Sequence, residues 1–317
     1  MPTPVFITID TELMWRHHAA GLPVAEIAAR SLEPAGVGIG WQLAQLSRHG
    51  LKACFFVDPM PAMIFGADPI ARVVGAILAA GQEVQLHLHP NWAGASASDR
   101  ARHGSFELID LDRGAQRDMI ARARDLLTAC GAPVPVAFRS GSYSANDATI
   151  DALVELGFAY DSSHNGSEHP WPSNIGLPVR QIAPVPHRGL VEVPVTLIED
   201  MPGHLRHFQI CALSASEMGA AIDHAARERH AAVTIVGHGF ELANRAGTRA
   251  NRVHRSRFER LCAMLGERRE TLPTTHFADR PTLRLGQADR PLSPSRTRTR
   301  LRQAEQLWSN WVEERAA

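Results

Sequence analysis

Ionisable residues in this chain collect where apolar runs end. "FITIDTE" (residues 6–12) closes on Asp10 and Glu12, and "LHLHP" (86–90) presents His87 and His89. "FRSGSY" (138–143) delivers Arg139, "YDSS" (160–163) delivers Asp161, and "IVGHGFE" (235–241) delivers His238 and Glu241. On an extended strand the side chains at i and i+2 share a face. Asp10 and Glu12 therefore point together, as do His87 and His89. One carboxylate with two imidazoles makes a three-ligand set for a divalent ion with a position left open, as in catalytic zinc sites. Such an ion lowers the pKa of a bound water and polarises a carbonyl. The second carboxylate is then free to take a proton from that water, and a histidine across the pocket can give one to a leaving group. These parts suit hydrolysis of an amide or ester.

Each residue alone has a plainer explanation. An aspartate after a strand is a turn or cap residue, a histidine in an apolar run is a satisfied core group, and Arg139 is a structural ion pair. Beside a carboxylate, Arg139 becomes a group that holds a base ionised. Five separate strand ends aimed at one face are harder to explain one residue at a time.

The elements that must position these residues follow from periodicity. β-rich runs at 5–10, 51–57, 83–89, 136–141, 158–163, 190–198, 231–240 and 271–277 alternate with helical patterns at 36–50, 68–81, 112–131, 146–157, 214–230 and 253–268. The glycines of "HG", "AAG", "ACG" and "ELG" stop helices. Repeated strand–helix alternation predicts parallel strands with helices outside, as a (β/α) barrel or a doubly wound sheet. Both place their chemistry at the carboxyl ends of the strands. Residues 164–189, rich in Pro, His and Gly, read as an excursion over the surface. From about residue 279 the pattern breaks into a basic, proline-containing tail, partly mobile, with a short helix over "AEQLWSNWVEER".

The 317 residues can bury a large core. With 33 basic and 33 acidic residues, no overall charge draws the chain to nucleic acid or an anionic membrane. The 16 histidines make a metal or acid–base site worth seeking. Cys54, Cys130, Cys211 and Cys262 are far apart in sequence and read as reduced thiols. No charged-then-apolar leader opens the chain, and no apolar run reaches the ~20 residues of a membrane span. The expectation is a cytoplasmic protein.

The succession "TIDTE", "KACFFVDP", "GQEVQLHLHP", "FRSGSY", "YDSS", "EVPV" and "IVGHGFE" resembles the polysaccharide deacetylases, carbohydrate esterase family 4, over about residues 3–278. The resemblance implies a distorted (β/α) barrel of seven or eight parallel strands with outer helices at 1–278, and the tail at 279–317. It implies one divalent metal, zinc above others, and removal of N-acetyl or O-acetyl groups from sugars. Asp10 falls at the general base. The metal acid of the family commonly follows directly; here that position is Thr11, so the resemblance assigns Glu12. His87 matches the first metal histidine, while the second position is Asn91; His89 is the expected replacement, with Asn91 as the other choice. Arg139 matches the arginine that pairs with the base, and His238 the general acid. The Ser142 amide falls where an oxyanion is stabilised, with Tyr143 beside it, and Asp161 falls in a motif that shapes the pocket wall. Trp92 and Trp171 are candidates to stack on a sugar ring.

The expected substrate is an acetamido sugar, free, nucleotide-linked or lipid-linked, made for a surface polysaccharide or secondary metabolite. Two other readings stay open: a metal-free, non-catalytic sugar-binding barrel, favoured by the missing second histidine, and a hydrolase of a small non-glycan amide. No nucleic-acid partner is expected. A homo-oligomer through the tail tryptophans is a further option.

Overall fold

"VFITIDT" has the β-branched and aromatic residues of a strand but no clean apolar–polar alternation. All seven of its residues are buried, as expected for a parallel strand covered on both faces. The computed structural model describes residues 2–96 and 107–314. The strands are β1 (Val5–Thr11), β2 (Cys54–Val57), β3 (Glu83–Leu88), β4 (Ala137–Ser140), β5 (Ala145–Asn146), β6 (Tyr160–Asp161), β7 (Ser173–Asn174), β8 (Val185–His187), β9 (Leu190–Glu192), β10 (Leu197–Met201), β11 (His204–His207) and β12 (Val233–His238). Eight form one sheet in the order β12–β1–β2–β3–β4–β6–β9–β8. β1 is central to the site, paired in parallel with β12 and β2 so that Asp10 lies level with His238 on one side and Phe56 on the other.

Seven of these strands run in parallel register, and β8 joins antiparallel to β9. The seven parallel strands match the expected number, and the eighth strand of the sheet is the antiparallel one. "HRGL" makes a tight hairpin, with Arg188 and Gly189 both at positive φ (50° and 114°), the requirement of a primed two-residue turn. A strand ladder does not close the barrel. From β9 the chain runs irregularly to the outer edge of β12, where Thr196 N–H donates to the Thr234 carbonyl (3.2 Å), Val236 N–H to Phe208 (2.9 Å) and Ile210 N–H to Val236 (2.9 Å). The sheet is a curled half-barrel whose gap is spanned by loop backbone.

The strand predicted over 190–198 breaks at Pro194 into β9 and β10. The one predicted over 271–277 reduces to a single bridge from Thr274 to Val5, since Pro273 has no N–H for a ladder. Residues 164–189 are not a surface excursion. Asn165, Ser173, Ile175, Ile182 and Ala183 are buried, and β7 pairs with β5. Gly166 passes so close that a Cβ would lie 1.7 Å from the Val179 carbonyl oxygen.

Helices at Ile39–His49, Asp68–Ala79, Arg113–Ala129, Asp147–Glu155, Ala215–Glu228 and Arg252–Glu267 fall where the periodicity puts them. Asp112, Asn146, Ser214 and Asn251 cap four of them with their side chains. The tail helix is Arg296–Trp308, beginning well before the expected "AEQLWSNWVEER" and overlapping only its first residues, and it is docked. Arg302, nearly buried, donates to Asp200 (2.7 Å) and Glu217 (3.1 Å), and Arg257 to Glu305 (2.8 Å). Trp308 and Trp311 remain exposed. No helix among the described residues is long and apolar enough to cross a membrane.

Under the carboxyl end of the sheet, Asp161 of β6 lies level with Glu192 of β9, both fully buried. Burial and the neighbouring Asp161 charge push Glu192 well above the usual glutamate range, and burial raises Asp161 too. The pair therefore shares a proton. A folded-state pKa above the unfolded one gives stability that is complete below the ordinary glutamate range and is lost as pH rises through the folded value. Glu192→Gln should remove that loss. Its thermal midpoint should exceed wild type by roughly 2 °C or more at alkaline pH and match it only below the ordinary glutamate range, read by thermal melts across pH.

Candidate active site

Arg139 organises the carboxyl end of the sheet. Its side chain, 0% exposed, comes off β4. Nη1 donates to Asp10 Oδ1 (2.9 Å) and Thr8 Oγ1 (2.8 Å), Nη2 to Ser162 Oγ (2.9 Å), and Nε to the Ser162 carbonyl (3.1 Å). Its guanidinium lies 4.5 Å over the Phe56 ring. Thr8 and Asp10, two apart on β1, share the face that alternation predicts. A charge this deep must be paired and hydrogen-bonded to persist, and Asp10 is the pair.

Beyond that pair, Glu12, His87 and His89 converge, with ligand atoms all within 4.8 Å of one another. His87 Nδ1 donates to the Arg139 carbonyl (2.8 Å). Because a carbonyl only accepts, Nδ1 carries the proton and Nε2 keeps a free lone pair. Burial lowers the His87 pKa to about 4, which keeps the ring neutral, as a metal ligand must be. His89 Nε2 sits 2.7 Å from Glu12 Oε2. Burial opposes the charges on both, yet their attraction wins, placing His89 at about 9 and Glu12 at about 2. The His89 ring packs on Gly141, where a Cβ would lie 2.3 Å from Nδ1. Two imidazoles and a carboxylate are the donor set zinc takes, so the residues fit one divalent ion. The set is also satisfied without one, through the Glu12–His89 ion pair.

His238, at the end of β12, stands opposite. Its Nδ1 donates to Glu241 Oε1 (2.6 Å), leaving Nε2 3.7 Å from Asp10 Oδ2. Burial disfavours the imidazolium, but Glu241, Asp10 and Glu12 outweigh it and raise His238 to about 9. At neutral pH it carries a proton that points at the cavity. Glu241 also accepts from Gln209 Nε2 and from Cys211 Sγ (3.1 Å).

The cavity between these groups, about 150 Å³, is lined by Asp10, Glu12, His87, His89, Ser140, Ser142, Tyr143 and His238. Ser142 and Tyr143 both sit at positive φ (55° and 58°), a costly conformation for side-chain-bearing residues and one that clusters at functional sites. The Tyr143 hydroxyl is buried and has no hydrogen-bond partner among the described residues.

Most of the site residues named from sequence meet here, and four, Trp92, Asp161, Asn91 and Trp171, do not line the cavity. Trp92 cannot offer a stacking face: it is 1% exposed, packed against Trp15, His18 and Phe65 after the turn Pro90–Trp92 swings it inward. Asp161 does not line the cavity, because β6 directs it at Glu192. Asn91 is absent from the cavity lining, and its buried Oδ1 makes no hydrogen bond among the described residues. Trp171 is 61% exposed. The roles of Glu241 and Glu192 were missed, although both stand in quoted motifs, Glu241 three residues after His238. Gln209 and Cys211 come from irregular chain with no sequence signal.

No protein-family model matches this chain, and comparison with curated proteins gives no match. Solved structures do match. A protein from Mycobacterium smegmatis assigned as a polysaccharide deacetylase superposes with a TM-score of 0.51 at 19% identity, covering 91% of this chain and 96% of that one. A second so assigned, from Pseudomonas aeruginosa PAO1, gives 0.54 at 15% identity, covering 87% and 89%. The chain has the polysaccharide deacetylase fold. At these identities the likeness speaks for fold, and the chemistry rests on the residues above.

If the trio is a metal site, His87→Ala and His89→Ala should each lower zinc affinity by about 10-fold or more. Gly141→Ala, which displaces the His89 ring, should do the same. Elemental analysis after dialysis against a fixed free-zinc level reads all three. Full zinc in His89→Ala would exclude His89 as a ligand.

Proposed function

We propose that the chain is a metal-dependent hydrolase that removes an acetyl group from an acetamido sugar, with O-acetyl esters as the related substrate. The observation that carries this reading is the facing of Asp10, held by a buried arginine, and protonated His238 across a cavity walled by Glu12, His87 and His89. Glu12, His87 and His89 would hold one divalent ion, zinc by donor type, and that ion would supply polarisation of the acyl carbonyl and a more acidic water. Asp10 takes the proton from the attacking water. Arg139 fixes the carboxylate toward the cavity and compensates its charge. The backbone N–H at Ser142, a residue of the cavity wall, would donate to the carbonyl oxygen as it gains negative charge. His238 gives its proton to the nitrogen as the C–N bond breaks, and Glu241 holds the ring with that proton aimed inward. Tyr143, with its unpartnered hydroxyl, is available to a substrate polar group.

The self-satisfied Glu12–His89 pair favours a second reading, a sugar-binding barrel without metal or turnover. An acetate-release screen over acetamido sugars, with chelator and with added zinc, separates the two. Asp10→Asn should cut turnover by about 10²–10⁴ while zinc content is unchanged; retained activity would refute the base assignment. Removing the Glu241 charge withdraws what raises His238, so Glu241→Gln should move the alkaline limb of the pH–rate profile to lower pH. An unmoved limb would exclude His238 as the acid.

A further inference from the structure

Two arginines at this end of the sheet make no ion pair among the described residues. Arg16 lies in the short helix Trp15–Ala19 just after β1, and Arg245 lies in the loop after β12. β1 and β12 are parallel neighbours, so both arginines come off the same end of the sheet as Asp10 and His238. Arg16 is half-buried, its Cζ 5.4 Å over the Phe240 ring. That ring is 5.0 Å from the His238 ring. Arg16 Nε is buried and has no hydrogen-bond partner among the described residues. Among the described residues neither guanidinium makes an ion pair. Of the carboxylates within electrostatic reach of Arg16, Glu12 is paired with His89 (2.7 Å), and Glu314 accepts from the Arg245 backbone N–H (2.8 Å) and Asn251 Nδ2 (3.1 Å) without touching either guanidinium. Burial and then the charge of Arg245 lower the Arg16 pKa, while Glu12 and Glu314 oppose that shift.

A half-desolvated guanidinium held against a second one is unfavourable unless an anion completes it. A phosphoryl or carboxylate group, taken bidentately, is the ligand such a pair fits. We infer that Arg16 and Arg245 form an anion subsite beside His238 that holds a phosphoryl or carboxylate group on the sugar side of the scissile amide. The sugar side follows from position, because His238 is the group that protonates the departing amine. The inference rests on the deacetylase reading and narrows it to anionic acetamido sugars, such as sugar phosphates, nucleotide diphosphate sugars or uronates, over neutral glycan.

Calorimetric titration of the full chain with N-acetylglucosamine, N-acetylglucosamine 1-phosphate and 2-acetamido-2-deoxyglucuronate tests this without requiring turnover. Wild type should bind one or both charged sugars about tenfold or more tighter than the neutral one, and the arm that wins identifies phosphoryl or carboxylate. Arg16→Met and Arg245→Met should each erase most of that preference, while Arg72→Met, in an exposed helical arginine, should leave it intact. Should Arg16→Met fail to fold, the exposed Arg245 carries the test. Equal binding of charged and neutral sugars, no binding of any, or a preference that survives both substitutions would overturn the inference. Acetate release measured alongside keeps the two claims apart: turnover without charge preference sinks the subsite alone, and charge preference without turnover sinks the hydrolase alone.

Discussion

The Arg139–Asp10 contact is the constraint on which the site depends. A guanidinium excluded from water costs several kcal/mol unless its donors are used and its charge is met. Here β1 supplies Asp10 and Thr8, the chain after β6 supplies Ser162, and the Phe56 face of β2 covers the plane. One side chain therefore ties four strands at their carboxyl ends. Its backbone serves as well, since the Arg139 carbonyl fixes the tautomer of His87. The Asp10 carboxylate, the His87 ring and strand register are all held by one residue, so small changes in how β4 packs reach all three.

Around this tie the acidic and basic groups are sorted by partner. Glu12 has His89, Glu241 has His238, Asp161 has Glu192, and Asp10 has Arg139. Three of these pairs join an acid to a cation, while Asp161 and Glu192 limit their charge by sharing a proton. What is left over is positive and lies at the rim, at Arg16 and Arg245. A field of that sign draws anions toward a cavity whose floor is lined with carboxylates, and the exclusion of bulk water strengthens it.

Much of this was legible in the sequence because strands turn spacing into direction. The i, i+2 pairs Asp10/Glu12 and His87/His89, and the break of each apolar run into a charged residue, were enough to gather a site from four strand ends. What stayed hidden was decided by tertiary contact. Trp92 looked like a ligand platform because it follows a strand end, but only packing against Trp15 and Phe65 shows that it faces inward. Residues 164–189 looked like surface because their polarity is high; their burial depends on backbone pairing between β5 and β7 and on Gly166 passing Val179. Arg16 has no periodic signature at all, because what sets it apart from Arg139 is the absence of an ion pair among the described residues, which only the folded chain shows.

The cross-pairing also explains how an acid and a base can stay distinct at close range. Asp10 and His238 are 3.7 Å apart across the cavity, near enough for attraction to pull them into a direct ion pair that would close the gap a substrate must enter. Each is held back by a stronger, shorter contact on its far side: Arg139 at 2.9 Å from Asp10 and Glu241 at 2.6 Å from His238. Neither side chain can move inward without lengthening that contact in a low-dielectric setting, where the loss is large. The outer partners thus prop the cavity open while leaving one oxygen of Asp10 and one nitrogen of His238 facing it. Opposed roles for two groups a hydrogen bond and a little more apart come from where their counter-charges stand.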